Sequence, residues 1–240
     1  MSRLRIFETD PDALPKTMPV ESDIVGKFRS GKLQGRTPVS LTTWRITTGD
    51  PHVAETVARR FGGEVAEWET SGEDSLEVIT DTDAVAVIID GPDAIEADLK
   101  LWGLNGTLIH HCDGVEFLDD ERRGQPCGCP ELLADRRAAA KAGHGPRPDV
   151  RITFRLHEEP QLGRFRLSSG SWDLVRDLVQ YTAALDQVGG PAVCTLRLAR
   201  VTFTPKAGPM AGREVSYQKP ALTVHRAYAA ESDADVSASA

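Results

Sequence analysis

The chain has 240 residues, 40% apolar and 27% charged, which is enough for one large domain or two small ones with a real hydrophobic core. Its formal net charge of −8 argues against a protein that grips duplex DNA unaided, because such binding runs on phosphate neutralisation. No run nears the ~18–20 apolar residues of a membrane span, the start has no apolar signal core, and four unevenly spaced cysteines do not make a disulfide framework, so the expected compartment is the cytoplasm.

Residues 1–38 read as an extended N-terminal arm, rich in Pro, Gly and charge. Within it, Ser2–Phe7 has the pattern of a short strand. The stretch VGKFRSGKLQGRTPVSL alternates glycine with basic and apolar residues. Two readings stand for it: a solvated loop before the first strand, or an arm that contacts nucleic acid or a partner.

Residues 39–109 read as a first α+β half. SLTTWRITT is β-branched and aromatic, hence a strand. Asp50 then Pro51 forms a helix start, a capping carboxylate before proline at the first helical position. Val53, Val57 and Phe61 follow on one face, and Gly62-Gly63 ends the helix. Short strands are expected at Glu64–Glu69, Ser75–Thr80 and Ala84–Ile89, the last apolar on both faces and therefore central. In GPDAIEADLKLW, Ile95, Leu99 and Trp102 stand at helical spacing, which predicts a helix. Asn105-Gly106 is a turn leading into TLIHHC.

Residues 110–148 hold three of the four cysteines and three of the six histidines. Zinc takes four soft or borderline ligands in a tetrahedron. Cys127-Gly-Cys129 supplies a close pair, with one residue between instead of the usual two to four. Cys112 is a third candidate, preceded by His110 and His111, and His144 is the fourth. The alternative is a set of free thiols in a loop-rich region. Asp113, Glu116, Asp119, Asp120 and Glu121 read as an exposed acidic loop.

Residues 149–228 read as a second α+β half. Val150, Ile152, Phe154 and Leu156 alternate with polar residues, the cleanest half-buried strand in the chain. GRFRLSS is the next strand. Ser171 caps a helix to about Leu185 whose apolar face is Leu174, Leu178 and Leu185. VCTLRLARVTFTP and VSYQKPALTVHRAY close the fold as two strands. Residues 229–240 are small and polar and are expected to be disordered. The four tryptophans, Trp44, Trp68, Trp102 and Trp172, are all expected in the core, as is Cys194.

TWRITTGDPHVAETVARR lies over RFRLSSGSWDLVRDLVQY in strand register, turn chemistry, cap position and apolar spacing. The expected fold class is therefore α+β: two pseudo-repeated strand–helix–strand halves around mixed or antiparallel sheets, with the Cys/His-rich loop inserted between them. Each Thr/Ser-Gly turn could present a helix N-terminus to an anion. The plainer reading is that Thr48, Asp50, Ser169 and Ser171 satisfy amides of the first turn. No P-loop, nucleophile elbow or HExxH pattern is present, so no catalytic residue is assigned.

GKLQGRTPVSLTTWRITTGD, FGGEVAEWE, LKLWGLNGTLIHHCDG, QPCGCPELLADRRAAAKAG and PRPDVRITFRLHEEPQLGRFRLSSGSWDLVRDL occur in this order and spacing. Together they resemble a family of actinobacterial and phage proteins, known from the recombination directionality factors of phiC31/phiBT1-type Streptomyces phages. The resemblance spans roughly residues 24–205. It implies a protein without chemistry of its own in the cytoplasm of a bacterial host. Such a factor binds the large serine integrase of its phage, through the integrase's zinc-binding and coiled-coil C-terminal region, and turns attP×attB integration into attL×attR excision. Little direct sequence-specific DNA binding is implied. Cys112, Cys127 and Cys129 match cysteines of the family. A fourth family cysteine, in a Cys-Lys-Pro, is replaced here by Pro146-Arg147-Pro148, and His144 is the nearby substitute. The competing reading is a single-stranded nucleic-acid-binding accessory of phage replication.

Overall fold

The computed structural model describes residues 23–35, 37–206 and 210–229. The strand expected at Ser2–Phe7, most of the arm before it reaches Asp23, and nearly all of the polar tail lie outside those residues.

The elements run β1 (Ile24–Gln34), β2 (Thr37–Thr48), α1 (Pro51–Phe61), β3 (Val65–Glu67), β4 (Leu76–Ile79), β5 (Ala84–Ile89), β6 (Ile95–Trp102), β7 (Leu108–Cys112), α2 (Leu133–Lys141), β8 (Arg147–Leu156), β9 (Arg164–Ser169), α3 (Trp172–Val188), β10 (Ala192–Phe203) and β11 (Val215–Ala227). The fold is α+β, as the alternating patterns predict. One mixed sheet of eleven strands runs through both halves, in the order β11-β10-β5-β8-β9-β1-β2-β4-β3. β6 pairs with the N-terminal part of β8, and β7 pairs with β6.

The stretch read as a loop at 24–34 is a strand, and it lies inside the sheet. β1 pairs antiparallel with β2 and parallel with β9, the one parallel neighbour in this path of strands. Its glycines, which made it look like a loop, answer close packing instead. A Cβ on Gly26 would stand 2.8 Å from the Phe165 ring, and one on Gly31 would stand 2.7 Å from the Val39 carbonyl oxygen, next to the β-bulge. Between them Phe28 is buried at the centre of the core. Its ring meets Trp44, Phe154 and Phe165 edge-on, with centroids 5.4, 5.1 and 5.7 Å away. Edge-to-face pairs of this kind add to the burial term.

Ile95–Trp102 is also a strand and not the expected helix. Ile95, Ala97, Leu99 and Leu101 carry a period of two alongside the period of 3.6. The open edge of β8 decides between them by pairing Ile95 with Ile152 and Leu99 with Pro148. A 3-10 turn at Pro92–Ala94 separates β5 from β6 along that edge. Helix α2, inside the Cys/His segment, was not legible in the sequence. Its capping residue, Leu132, makes no side-chain cap hydrogen bond.

α1 packs on β2 and β4, and α3 packs on β11. Both place their buried faces in one core with the sheet, including Val53, Val57, Leu174, Leu178 and Leu185. β10 and β11 also approach β1 and β2, so the sheet curls around this core. Pro220 is tolerated in β11 because that strand lies at the sheet's edge. The local unit that recurs in the sequence recurs in its bonding. The Thr48 hydroxyl accepts from Asp50 N–H, and Ser169 accepts from Ser171 N–H. The Asp50 carboxylate then accepts from His52 N–H at 2.8 Å, and the Ser171 hydroxyl from Leu174 N–H at 3.3 Å. These oxygens serve the helices' own amides, which is the capping role. Among the described residues no helix is long and apolar enough to cross a membrane.

Asp173, in the first turn of α3, ties three elements together. It accepts from Tyr217 Oη on β11 at 2.7 Å and from Arg137 of α2 at 2.8 Å. These bonds, Tyr217 first, hold its carboxyl below the ordinary value of 3.8.

Two predictions follow from this arrangement. Phe28→Ala lowers unfolding free energy by about 3–5 kcal/mol in denaturant titration, as a large aromatic lost from a core does. Asp173→Ala costs about 1–3 kcal/mol at neutral pH through its charge-assisted bonds. A depressed carboxyl stabilises above its unfolded pKa, so the wild-type advantage is full near pH 7. It shrinks as pH falls below the ordinary carboxylate range toward the folded value. Melts of both proteins from pH 7 to pH 2.5 check that convergence.

Candidate metal centre

The site forms where the β6–β7 hairpin runs into the loop that follows it. Side chains alternate across a strand, so β7 presents His110 and Cys112 on one face and His111 on the other. Asp113 then turns the chain. Its carboxylate accepts from Val115 N–H at 2.7 Å and Glu116 N–H at 2.8 Å. The returning segment bridges Cys112 with Phe117 and Glu116 with Pro126. Cys127 N–H donates to the Val115 carbonyl at 2.8 Å, which brings the Cys127/Cys129 pair beside His110 and Cys112. Gly128 has φ 71, a left-handed conformation that glycine adopts freely. That turn lets Cys127 and Cys129 aim at one point across a single residue.

One ligand atom from each of His110, Cys112, Cys127 and Cys129 lies within 4.8 Å of all the others. Cys112 Sγ is 3.7 Å from Cys129 Sγ, and Cys129 Sγ is 3.5 Å from His110 Nε2. A tetrahedral ion with metal–sulfur bonds of about 2.3 Å and metal–nitrogen bonds of about 2.0–2.1 Å sets S···S edges of about 3.8 Å and S···N edges of about 3.6 Å. Both separations fit. They are far longer than the ~2.05 Å of a disulfide, and all four cysteines are free. The group can therefore bind a metal ion.

The surroundings suit that role. Cys112 is fully buried and Cys127 nearly so; with Leu99 they form a small second core backed by Phe117 and Trp172. Burial pushes the Cys112 thiol well above its ordinary value and also raises that of Cys129. Burial, then the nearby Arg122 guanidinium, holds His110 below its own. Without a cation these two thiols stay protonated and the imidazole neutral. A dication binding there displaces thiol protons, which makes its affinity pH-dependent. The His110 ring lies 4.7 Å from the Phe117 ring, and Arg122 stands over the other ring at 3.9 Å.

Of the four expected ligands, Cys112, Cys127 and Cys129 converge, and His144 does not. His144 is exposed beyond the end of α2, where its N–H donates to the Ala139 carbonyl. His110 completes the group instead. The signal was present: in a His-x-Cys on a strand, both side chains share a face. The neighbouring His111 points away and bonds Asp98 at 2.7 Å, within an ion network that includes Lys100, Asp149 and Arg151. The acidic loop stays out of the cluster. Asp113 holds the turn, while Asp119 and Asp120 pair with Arg122 and Arg123. Cys194 is buried on β10, where burial alone raises its thiol to about 12.

Residues 25–224 match the family model described as Gp3-like, recombination directionality factor-like. The matched span runs from β1 into β11 and contains the whole cluster. No solved structure matches the chain.

Cobalt(II) titration of the purified protein, followed through its thiolate absorption, checks the ligand set. Wild type and His144→Ala bind one ion alike. His110→Ala and Cys129→Ser weaken binding by at least about 10–100-fold, since even outer-shell changes cost that much.

Proposed function

The chain belongs to the Gp3-like, recombination directionality factor-like family, and we propose that it binds a large serine integrase and switches it from attP×attB integration to attL×attR excision. The family match across residues 25–224 carries this reading. The integrase serine cuts and rejoins DNA, and this protein contributes no catalysis. Its effect is a population shift: it binds one arrangement of the integrase on attL and attR more tightly than the alternatives, and the equilibrium follows that difference. The zinc-binding and coiled-coil C-terminal region of the integrase is the proposed docking partner, in the cytoplasm of the bacterial host.

Charge supports a protein partner over nucleic acid. The polar face of the sheet is rich in arginine, yet much of that charge is compensated. Arg45 pairs with Glu77, Arg155 with Asp90, Arg164 with Asp23, and Arg151 with Glu96 and Asp98. The closest stacked cation there, Arg45 at 4.3 Å over Trp68, has a side chain only 7% exposed, and Arg29 lies 5.7 Å from the same ring. That stack belongs to the fold and makes a poor platform for single-stranded bases.

We read the metal as zinc, in a structural role. Four protein ligands fill a tetrahedron and leave no open position for a substrate. Zinc would fasten the β6–β7 hairpin to the loop carrying Cys127 and Cys129, a lobe with only a small apolar core of its own.

A purified recombination assay tests the switch, using attP×attB and attL×attR plasmids, an active cognate serine integrase, and this protein added or omitted. The expected outcome is attL×attR recombination only when the protein is present, with attP×attB recombination reduced. An integrase whose two reactions are unchanged by the protein overturns the proposal.

A further inference from the structure

The sequence places all four tryptophans in the core, and the structure removes one of them. Trp44 is fully buried, and Trp68 and Trp172 are half-buried, whereas Trp102 is 58% exposed. It stands at the end of β6 on a hairpin whose apolar residues face solvent. Leu104 is fully exposed, Ile109 is 53% exposed and Leu108 is also open. Val115 and Leu132, on the adjoining metal lobe, are exposed as well. Scattered single apolar side chains are ordinary on a surface, but this many within one hairpin and its neighbour is a patch.

The patch is held rigidly. Gly103 N–H donates to the Thr107 carbonyl at 2.8 Å, Gly106 N–H to the Gly103 carbonyl at 3.0 Å, and Thr107 N–H to the Asn105 side chain at 3.1 Å. Gly106 supplies the positive φ, 78°, that this turn needs. At the other end, His110 and Cys112 anchor β7 in the metal cluster. Leu104 and Trp102 are thus presented in fixed positions, so little ordering entropy is lost when a partner covers them. A cleft lined by Leu101, Trp102, Gly145, Arg147 and Pro148 opens beside the indole and can receive a side chain. Among the described residues β7 has no strand neighbour besides β6, and its Cys112 end is bridged by Phe117.

The loop beside the hairpin carries unpaired acids, while Arg147 in the cleft is an exposed cation without an ion pair among the described residues. Asp113, Glu116, Glu121 and Glu131 are exposed and make no ion pair among the described residues. The basic groups of the same loop, Arg122 and Arg123, are already paired with Asp119 and Asp120. An apolar centre beside an acidic loop complements an apolar strip flanked on that side by lysine or arginine. A recombinase must carry basic surface to hold its DNA. We infer that the β6–β7 hairpin tip, with Trp102, Leu104 and Ile109 at its centre, is the surface on which this protein docks a basic-flanked apolar segment of the integrase. The inference rests on the integrase-binding reading above and names the surface that performs it.

The test uses the full chain and purified cognate serine integrase, with affinity measured at two salt concentrations, alone and on attL DNA. Leu104→Asp and Ile109→Asp each weaken binding by about tenfold or more, the scale of an interface hot spot. Val179→Asp, on the exposed face of α3, leaves it within about twofold and serves as the surface-charge control. Glu116→Lys with Glu131→Lys weakens binding and flattens its salt dependence. Cobalt binding and melting temperature confirm that each variant is folded. Wild-type binding with undiminished binding by both hairpin variants overturns this assignment and leaves the directionality reading intact. No binding by wild type overturns both. A gel shift of DNA by the protein alone that the hairpin variants abolish also overturns it, in favour of a nucleic-acid surface.

Discussion

Phe28 is the residue on which the fold closes. Its ring is met edge-on by an aromatic from β2, one from β8 and one from β9, so a single side chain links the first half of the chain to the second. The parallel pairing of β1 with β9 is the backbone counterpart of that contact. Parallel neighbours are joined by crossovers and not by tight hairpins, and here the crossover contains most of the molecule. The seam therefore joins the two ends of a long crossover, and the sheet curls around one core.

The Cys/His lobe is a separate solution to a local problem. Leu99, Cys112 and Cys127 bury too little apolar surface to hold a hairpin and an irregular loop together. A tetrahedral ion would supply what the core lacks, using ligands that strand alternation and one left-handed glycine have already brought to ligand spacing. The lobe's attachment to the sheet is polar as well as apolar. Trp172 packs against the second core, while Asp173 next to it holds Arg137 of α2 and Tyr217 of β11.

Much of this was legible in the sequence, and the failures have physical causes. The capped helices α1 and α3, the alternating β8 and the apolar β5 follow from local pattern because pattern and burial agree there. Ile24–Gln34 was misread because its glycines serve Phe165 and Val39, neighbours that are distant or across a bulge and leave no trace in local composition. Ile95–Trp102 was misread because it carries two periods at once and the free edge of β8 chose between them. Three of the four clustered side chains were found by residue type and spacing. His110 was missed, although its one-residue gap from Cys112 is the spacing that a strand turns into a shared face. Trp102 was assigned to the core by residue type and by helical spacing with Ile95 and Leu99, and the position of its hairpin shows otherwise.

The β1–β9 seam also sets an order of assembly. Phe28 leaves the ribosome well before its partner Leu167, which lies far along the chain. Until then β1 and β2 form a hairpin with one open edge and an unburied aromatic ring. The contacts of the metal lobe, from Cys112 to Cys129, are local and can close while that hairpin waits. The early strands therefore remain exposed to pairing with a neighbouring chain until β9 arrives.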